Sequence, residues 1–167
     1  RPRGSYVSGA GAYTSGPLSF MDIYDKMCFT VSSACGRRGA QMATFDISHP
    51  DVTEFIRAKR EDGRLRQFNL SLLITEDFMH AVTEDRDWPL SFPITKKEYE
   101  REPVDLGNTE LVIWREFPVE DPANNPYLVS DVGLVACRIY RKVRARHLWN
   151  LIMTSTYDFA EPGFILI

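Results

Sequence analysis

Residues 41–74, QMATFDISHPDVTEFIRAKREDGRLRQFNLSLLI, decide the fold. Residues 41–47 alternate enough in polarity to form a strand. His49-Pro50-Asp51 then opens a helix, with Ser48 or His49 as its cap and Val52, Phe55 and Ile56 as its buried stripe. Asp62-Gly63 ends that helix, and the β-rich run 68–74 predicts a buried strand. Strand, helix and strand in this order predict an α/β layout. Working outward, Thr75 caps a short helix through Val82, with Glu76 and Asp77 well placed in its first turn.

Upstream, residues 1–16 (RPRGSYVSGAGAYTSG) lack an apolar period and read as a long loop. Pro17 suits the first position of a helix over 17–34, with Phe20, Ile23, Tyr24, Met27, Cys28 and Val31 at helical spacing. Cys35-Gly36-Arg37-Arg38-Gly39 breaks it. Downstream, residues 84–130 hold most of the prolines and look irregular, with a strand at 110–117 and an exposed loop at 118–130. Residues 132–141 predict a further strand. A helix at 144–159 carries Leu148, Leu151, Ile152, Ser155 and Phe159 on one face, and residues 164–167 begin another strand. The expected fold class is therefore α/β with a β-rich insertion in the middle.

Composition narrows the function classes. The 167 residues are 44% hydrophobic and 26% charged, as in an ordinary globular chain. A net charge of -3 opposes a general nucleic-acid surface, which needs a basic excess. No apolar run approaches the roughly 20 residues that span a bilayer, so no membrane partner is expected. The three cysteines, Cys28, Cys35 and Cys137, form no CxxC pair, which disfavours a zinc site or disulfide framework and fits a reducing, cytoplasmic setting. The chain starts at Arg1 without a Met and stops on the apolar run Phe164–Ile167, so it reads as a fragment of a longer chain.

Two loops could carry chemistry. In Gly36-Arg37-Arg38-Gly39-Ala40-Gln41, glycines permit close backbone approach, arginines supply forked donors for phosphate or a base edge, and Gln41 matches an amide-like edge. The same residues also suit a plain helix end, where glycine and a basic side chain are favoured. In the 1–16 loop, Arg1 and Arg3 precede Gly and Ser residues that can wrap phosphates through backbone N–H groups, or simply form a frayed terminus. His49 reads as a helix-entry residue, and His80 and His147 as surface or half-buried helix positions. None stands with a second metal ligand, so no metal site is expected. Cys28 and Cys137 read as core. Asn69 and Ser71 alternate with apolar neighbours and either face a cavity or pair with each other.

The order of the pieces is more specific than any one of them. RPRGSYVSGAGAYTSGPLSFMDIYDKM, GRRGAQMATFDISHPDVTEFIRAKRE, FNLSLLITEDFM and LWNLIMTSTYDFAEPGFILI, in that order, resemble the catalytic chain of class II ribonucleotide reductases, the adenosylcobalamin (vitamin B12)-dependent reductases. The resemblance covers nearly the whole chain and is strongest over 1–83 and 144–167. It implies that residues 1–167 are one fragment of a larger catalytic barrel domain, a ten-stranded α/β barrel, with 84–143 as an insertion found in one branch of the family.

The resemblance also assigns roles. Residues 1–16 match the first loop that binds an allosteric deoxynucleoside triphosphate effector, with Arg1, Arg3, Ser5, Ser8 and Gly9 as the candidate contacts. Residues 35–41 match the second loop, which passes effector identity to the ribonucleotide substrate, with Cys35, Gly36, Arg37, Arg38, Gly39, Ala40 and Gln41 as its candidates. Cys35 stands where the family has Gly, which implies a stiffer loop. The helix at 17–34 resembles one that packs on its twin in a homodimer. The family's Asn-x-Cys-x-Glu pattern, whose cysteine becomes the radical, is absent, as are its redox cysteines. No catalytic residue is therefore expected in this chain, and the isolated fragment should be inactive. Thioredoxin or a similar thiol would reduce the parent enzyme, whose substrates are ribonucleoside diphosphates or triphosphates. The competing reading is a non-catalytic nucleotide-binding regulatory domain.

Overall fold

The computed structural model describes residues 1–7, 9–32, 39–60, 64–118 and 124–167. They form two compact units, Arg1–Trp88 with Val143–Ile167, and Pro89–Lys142.

The first unit is built on the stretch quoted above. Strand β3 (Gln41–Asp46) leads to helix α2 (Val52–Arg57), a 3-10 turn at Ala58–Arg60 and strand β4 (Phe68–Ile74). β3 and β4 pair in parallel, Gln41 opposite Phe68 and Asp46 opposite Leu73. Alternation decides which side of β4 is covered: Phe68, Leu70, Leu72 and Ile74 are buried, whereas Asn69 is exposed and Ser71 half-buried. Helix α3 (Glu76–Thr83) follows, capped by Thr75, whose hydroxyl accepts from the Phe78 N–H at 3.3 Å, as the sequence predicts. Helix α5 (Ala145–Phe159) packs on α2 and α3, burying Leu148, Ile152 and Ser155; Phe159, expected on the same face, is exposed. Strand β8 (Gly163–Leu166) then adds to β4 in parallel, giving the order β3-β4-β8. Among the described residues this sheet is open and closes no barrel.

Three expectations for this unit change. Residues 1–16 are not loop throughout: β1 (Tyr6–Val7) and β2 (Ala12–Tyr13) pair antiparallel as a small hairpin. Neither Ser48 nor His49 caps α2. Asp51 holds the N-cap position without a side-chain cap bond, while the Nδ1 of His49 accepts from the Asp51 N–H at 3.0 Å. Helix α1 (Pro17–Ser32) forms as expected, but of its apolar residues only Leu18 and Cys28 are buried. Phe20, Ile23, Tyr24, Met27 and Val31 are all more than half exposed.

The second unit contains most of the irregular-looking middle. Strand β5 (Asp87–Pro93) enters it, followed by helix α4 (Lys96–Arg101) and strands β6 (Val112–Arg115) and β7 (Val135–Arg144), the last leading back to the first unit. The sheet order is β5-β7-β6, with β6 and β7 antiparallel. β5 and α4 were not expected. Pro89 and Pro93 hide the strand, since proline cannot donate to a ladder; β5 accommodates them at the sheet edge. Its buried residues include the cluster Ile94, Val112 and Ala136, with Tyr99, Val104, Leu106, Trp114 and Leu128 packed around it, and Leu90, Val135 and Cys137 are buried as well.

Candidate functional site

The first candidate loop is a hairpin with a fixed base. The Gly4 N–H donates to the Thr14 carbonyl and the Thr14 N–H to the Ser5 carbonyl, both at 2.9 Å. Gly16 closes the base at φ +88°, and a Cβ there would lie 2.9 Å from the Cβ of Arg3, so only glycine fits. The Arg1 guanidinium donates to the Tyr6 carbonyl at 2.9 Å, bracing the hairpin from within. The backbone N–H of Arg3 donates to the Asp51 carboxylate at 2.8 Å, and the Arg3 guanidinium lies 3.7 Å from Glu54. The Arg3 side chain is 68% exposed, so this last ion pair contributes at most about 1 kcal/mol. Both arginines can thus be drawn onto an anion at modest cost. Ser5 is half-buried and Gly9 exposed with open space around it. Ser8 lies outside the described residues.

Asp51 and Glu54 were not singled out from sequence as partners of this loop. Their signal is acidic residues at the start of a helix, where the positive end of the helix dipole and a basic loop both favour them. Beside them, the His49 ring packs tilted against Phe45, which stacks on Phe55. Burial pushes the His49 pKa down from 6.5 to about 4, outweighing the Asp51 carboxylate at 3.9 Å, which alone would raise it. The N–H received from Asp51 needs an unprotonated Nδ1, so geometry and burial agree on a neutral ring.

The second candidate loop is described only at its end. Cys35, Gly36, Arg37 and Arg38 lie outside the described residues. Gly39 is half-buried and Ala40 exposed, and Gln41 begins β3 with its N–H donating to the Gln67 carbonyl at 2.7 Å. The Oε1 of Gln41 is buried without a hydrogen-bond partner among the described residues, an acceptor with capacity to spare. The two loops flank α1, the first entering its N-terminus and the second leaving its C-terminus. Sixteen helical residues set those ends about 24 Å apart.

Sequence reading missed the carboxylates that hold α1 in place. Asp22 and Asp25 stand three residues apart, in line with the buried Leu18 and Cys28. The Arg64 guanidinium donates to both oxygens of Asp22, Nε and Nη2 each at 3.0 Å, and the Gln67 N–H donates to Asp25 at 2.8 Å. The only available signal was acid on the same stripe as apolar residues. Cys28 and Cys137 are buried, as expected. The described residues contain no group of three or more potential metal ligands and no helix long and apolar enough to cross a membrane.

Comparison with known proteins places this architecture. The family model described as "Ribonucleotide reductase, barrel domain" matches residues 1–167. The chain belongs to the ribonucleotide reductase family and is part of its barrel domain. It is 42% identical over 105 residues to a vitamin B12-dependent ribonucleoside-diphosphate reductase of Mycobacterium tuberculosis, covering 62% of this chain and 15% of the relative. It is 27% identical over 168 residues to the protein of the same name in Thermoplasma acidophilum, covering 100% of this chain and 16% of that one. It is 32% identical over 166 residues to the ribonucleoside-diphosphate reductase subunit alpha of Helicobacter pylori, covering 97% and 19%. The chain thus spans less than a fifth of the length of each of these three relatives.

Proposed function

We propose that the full-length protein is a vitamin B12-dependent ribonucleotide reductase, converting ribonucleotides to deoxyribonucleotides by radical chemistry with adenosylcobalamin as the radical source. The observation that carries this reading is the family match over all 167 residues, joined to relatives whose names specify vitamin B12 dependence. Within it, this chain supplies control rather than chemistry. Residues 1–16 bind the deoxynucleoside triphosphate effector, using Arg1, Arg3, Ser5, Ser8 and Gly9. Residues 35–41 carry the effector's identity to the substrate base, and residues 84–143 are a branch-specific insertion. The chain lacks the Asn-x-Cys-x-Glu pattern, and Cys28 and Cys137 are buried, so this reading assigns the radical cysteine to another part of the protein.

A second copy of the protein covers α1. Six large apolar residues of α1, Phe20, Ile23, Tyr24, Met27, Phe29 and Val31, would otherwise face water, a patch of the kind that marks an interface. The protein would act in the cytoplasm, with thioredoxin or a similar dithiol as reductant.

The test is reduction by the full-length protein supplied with adenosylcobalamin, a dithiol and each ribonucleotide as diphosphate or triphosphate. Deoxyribonucleotide formation that needs cobalamin, and whose base preference follows the added deoxynucleotide, is expected. The isolated 167-residue chain should form none. Replacing Arg37 or Arg38 by Ala should cost roughly ten- to a hundred-fold in effector-dependent substrate affinity, the value of one charge-assisted contact. No cobalamin-dependent product with any ribonucleotide would overturn the reading.

A further inference from the structure

We propose that Asp22 and Asp25 of α1, with Arg64 and Gln67, are positioning residues that couple α1 to the second loop. This rests on the effector and specificity roles proposed above. Asp25 accepts from the Gln67 N–H at 2.8 Å, and the Gln67 carbonyl accepts from the N–H of Gln41 at 2.7 Å. Gln41 is the last residue of the second loop. Two consecutive hydrogen bonds therefore run from the middle of the helix to the end of the loop, through one residue. A displacement of α1 pulls on Gln67, and Gln67 sets where the loop enters β3.

The segment between these bonds is held tightly. Leu65 adopts φ +51°, uncommon for a branched side chain, and is buried. Such a conformation persists when its surroundings fix it. The forked Asp22–Arg64 pair fixes it on one side and the Asp25–Gln67 bond on the other. Arg64 presents a rigid planar fork, so its pair with Asp22 sets orientation as well as distance.

The polarity of α1 supports a transmitting role. Its inner side carries the two carboxylates between Leu18 and Cys28, while its outer side carries the large apolar residues. A helix selected only to cover its own core would place these groups the other way round. Here the outer side awaits a second copy, and the inner side grips the strand entry through directional bonds. Association that shifts α1 would then be felt at Gln41.

The test uses the full-length protein and the variants Asp25→Ala, Arg64→Ala and the exchange Asp22→Arg with Arg64→Asp. Three quantities are read: direct binding of the deoxynucleoside triphosphate, the rate without effector, and the effector-induced change in the kcat/KM ratio for two ribonucleotides. Asp25→Ala and Arg64→Ala should leave the first two near wild type and shrink the third about ten-fold, which is about 1.4 kcal/mol of coupling. The exchanged pair should recover part of that loss over Arg64→Ala, which general destabilisation would not allow. Wild-type switching in both single variants overturns the proposal. Parallel loss of binding, basal rate and switching overturns it too, since it makes the contacts merely structural. A wild-type protein that neither binds nor responds to effector overturns the underlying regulatory reading, and this coupling with it.

Discussion

The two units bury their sheets by different means. The first lays three parallel strands beside helices α2, α3 and α5 and fills its core with large side chains: Phe55, Ile56, Leu72, Ile74, Phe78 and Ile152 are all at most 2% exposed. The second buries aliphatic and small side chains, Leu90, Ile94, Val112, Val135, Ala136 and Cys137, while Tyr99 and Trp114 stay half-buried around the cluster of Ile94, Val112 and Ala136. Because apolar stabilisation scales with area removed from water, truncating a buried ring should cost the first unit more than truncating a buried aliphatic side chain costs the second. Matched substitutions test that contrast.

The largest expected effect is from Phe55→Ala. Its ring is fully buried and stacked 4.4 Å from that of Phe45, so truncation should cost about 3–5 kcal/mol. Ile94→Ala, its counterpart in the second unit, should cost about 2–4 kcal/mol. Hydrogen exchange read strand by strand should separate them. Phe55→Ala should expose β3 and β4 amides first, and Ile94→Ala those of β6 and β7. Equal acceleration in all four strands under either substitution would mean that the chain unfolds as one body and the division into units has no energetic content.

The same contrast explains what the sequence disclosed. In the first unit each element carries its own signal. Phe68, Leu70, Leu72 and Ile74 mark β4 by alternation, Thr75 marks the start of α3, and Pro17 marks that of α1. In the second unit β5 contains two prolines, and what makes it a strand is its neighbour β7, which is distant in sequence. Long-range pairing of that kind leaves no local trace. For the candidate site, the glycines and arginines of the two loops were visible, but their partners were not. Asp51, Glu54, Asp22 and Asp25 look like solvated helix charges until the fold brings Arg3, Arg64 and Gln67 to them. The outer side of α1 misleads for a related reason: helical spacing of apolar residues shows that a side will be covered, and says nothing of whether its own chain covers it.

An acid-dependent difference should follow from His49, since residues 89–142 contain no histidine. Unfolded, His49 takes up its proton near pH 6.5; folded, burial delays this to about pH 4. Between these values the unfolded chain binds more protons, so stability falls as the pH drops from 6.5 and levels off near 4, by at most about 3 kcal/mol. His49→Asn keeps an acceptor for the Asp51 N–H and removes the titration. Denaturant unfolding at pH 7 and pH 4.5 should show a shallower acid loss in this variant, and protection in the first unit should recover more than in the second. An unchanged pH slope would show that His49 takes up its proton at the same pH in the folded and the unfolded chain.

The smallest effects come from two glycines with nearly the same backbone and different surroundings. Gly16 in the first unit has φ +88° and Gly133 in the second has φ +85°. An alanine at either position bears the penalty of the left-handed region, about 1–2 kcal/mol. At Gly133 nothing lies within 4 Å of the new Cβ, so that penalty is the whole cost. At Gly16 the new Cβ would meet the Cβ, Cα and N of Arg3 at 2.9, 3.1 and 3.2 Å, and most of these atoms are backbone that cannot swing aside. The hairpin base must therefore open, and the Arg3 N–H loses its hold on Asp51. Gly16→Ala should cost more than Gly133→Ala by about 1–2 kcal/mol, roughly the value of the charged hydrogen bond it disrupts. It should also weaken effector binding by the full-length protein, whereas Gly133→Ala should not. Equal costs with unchanged effector binding would mean that the base of the first loop yields freely, and that its fixed geometry is not what presents Arg1 and Arg3 to a ligand.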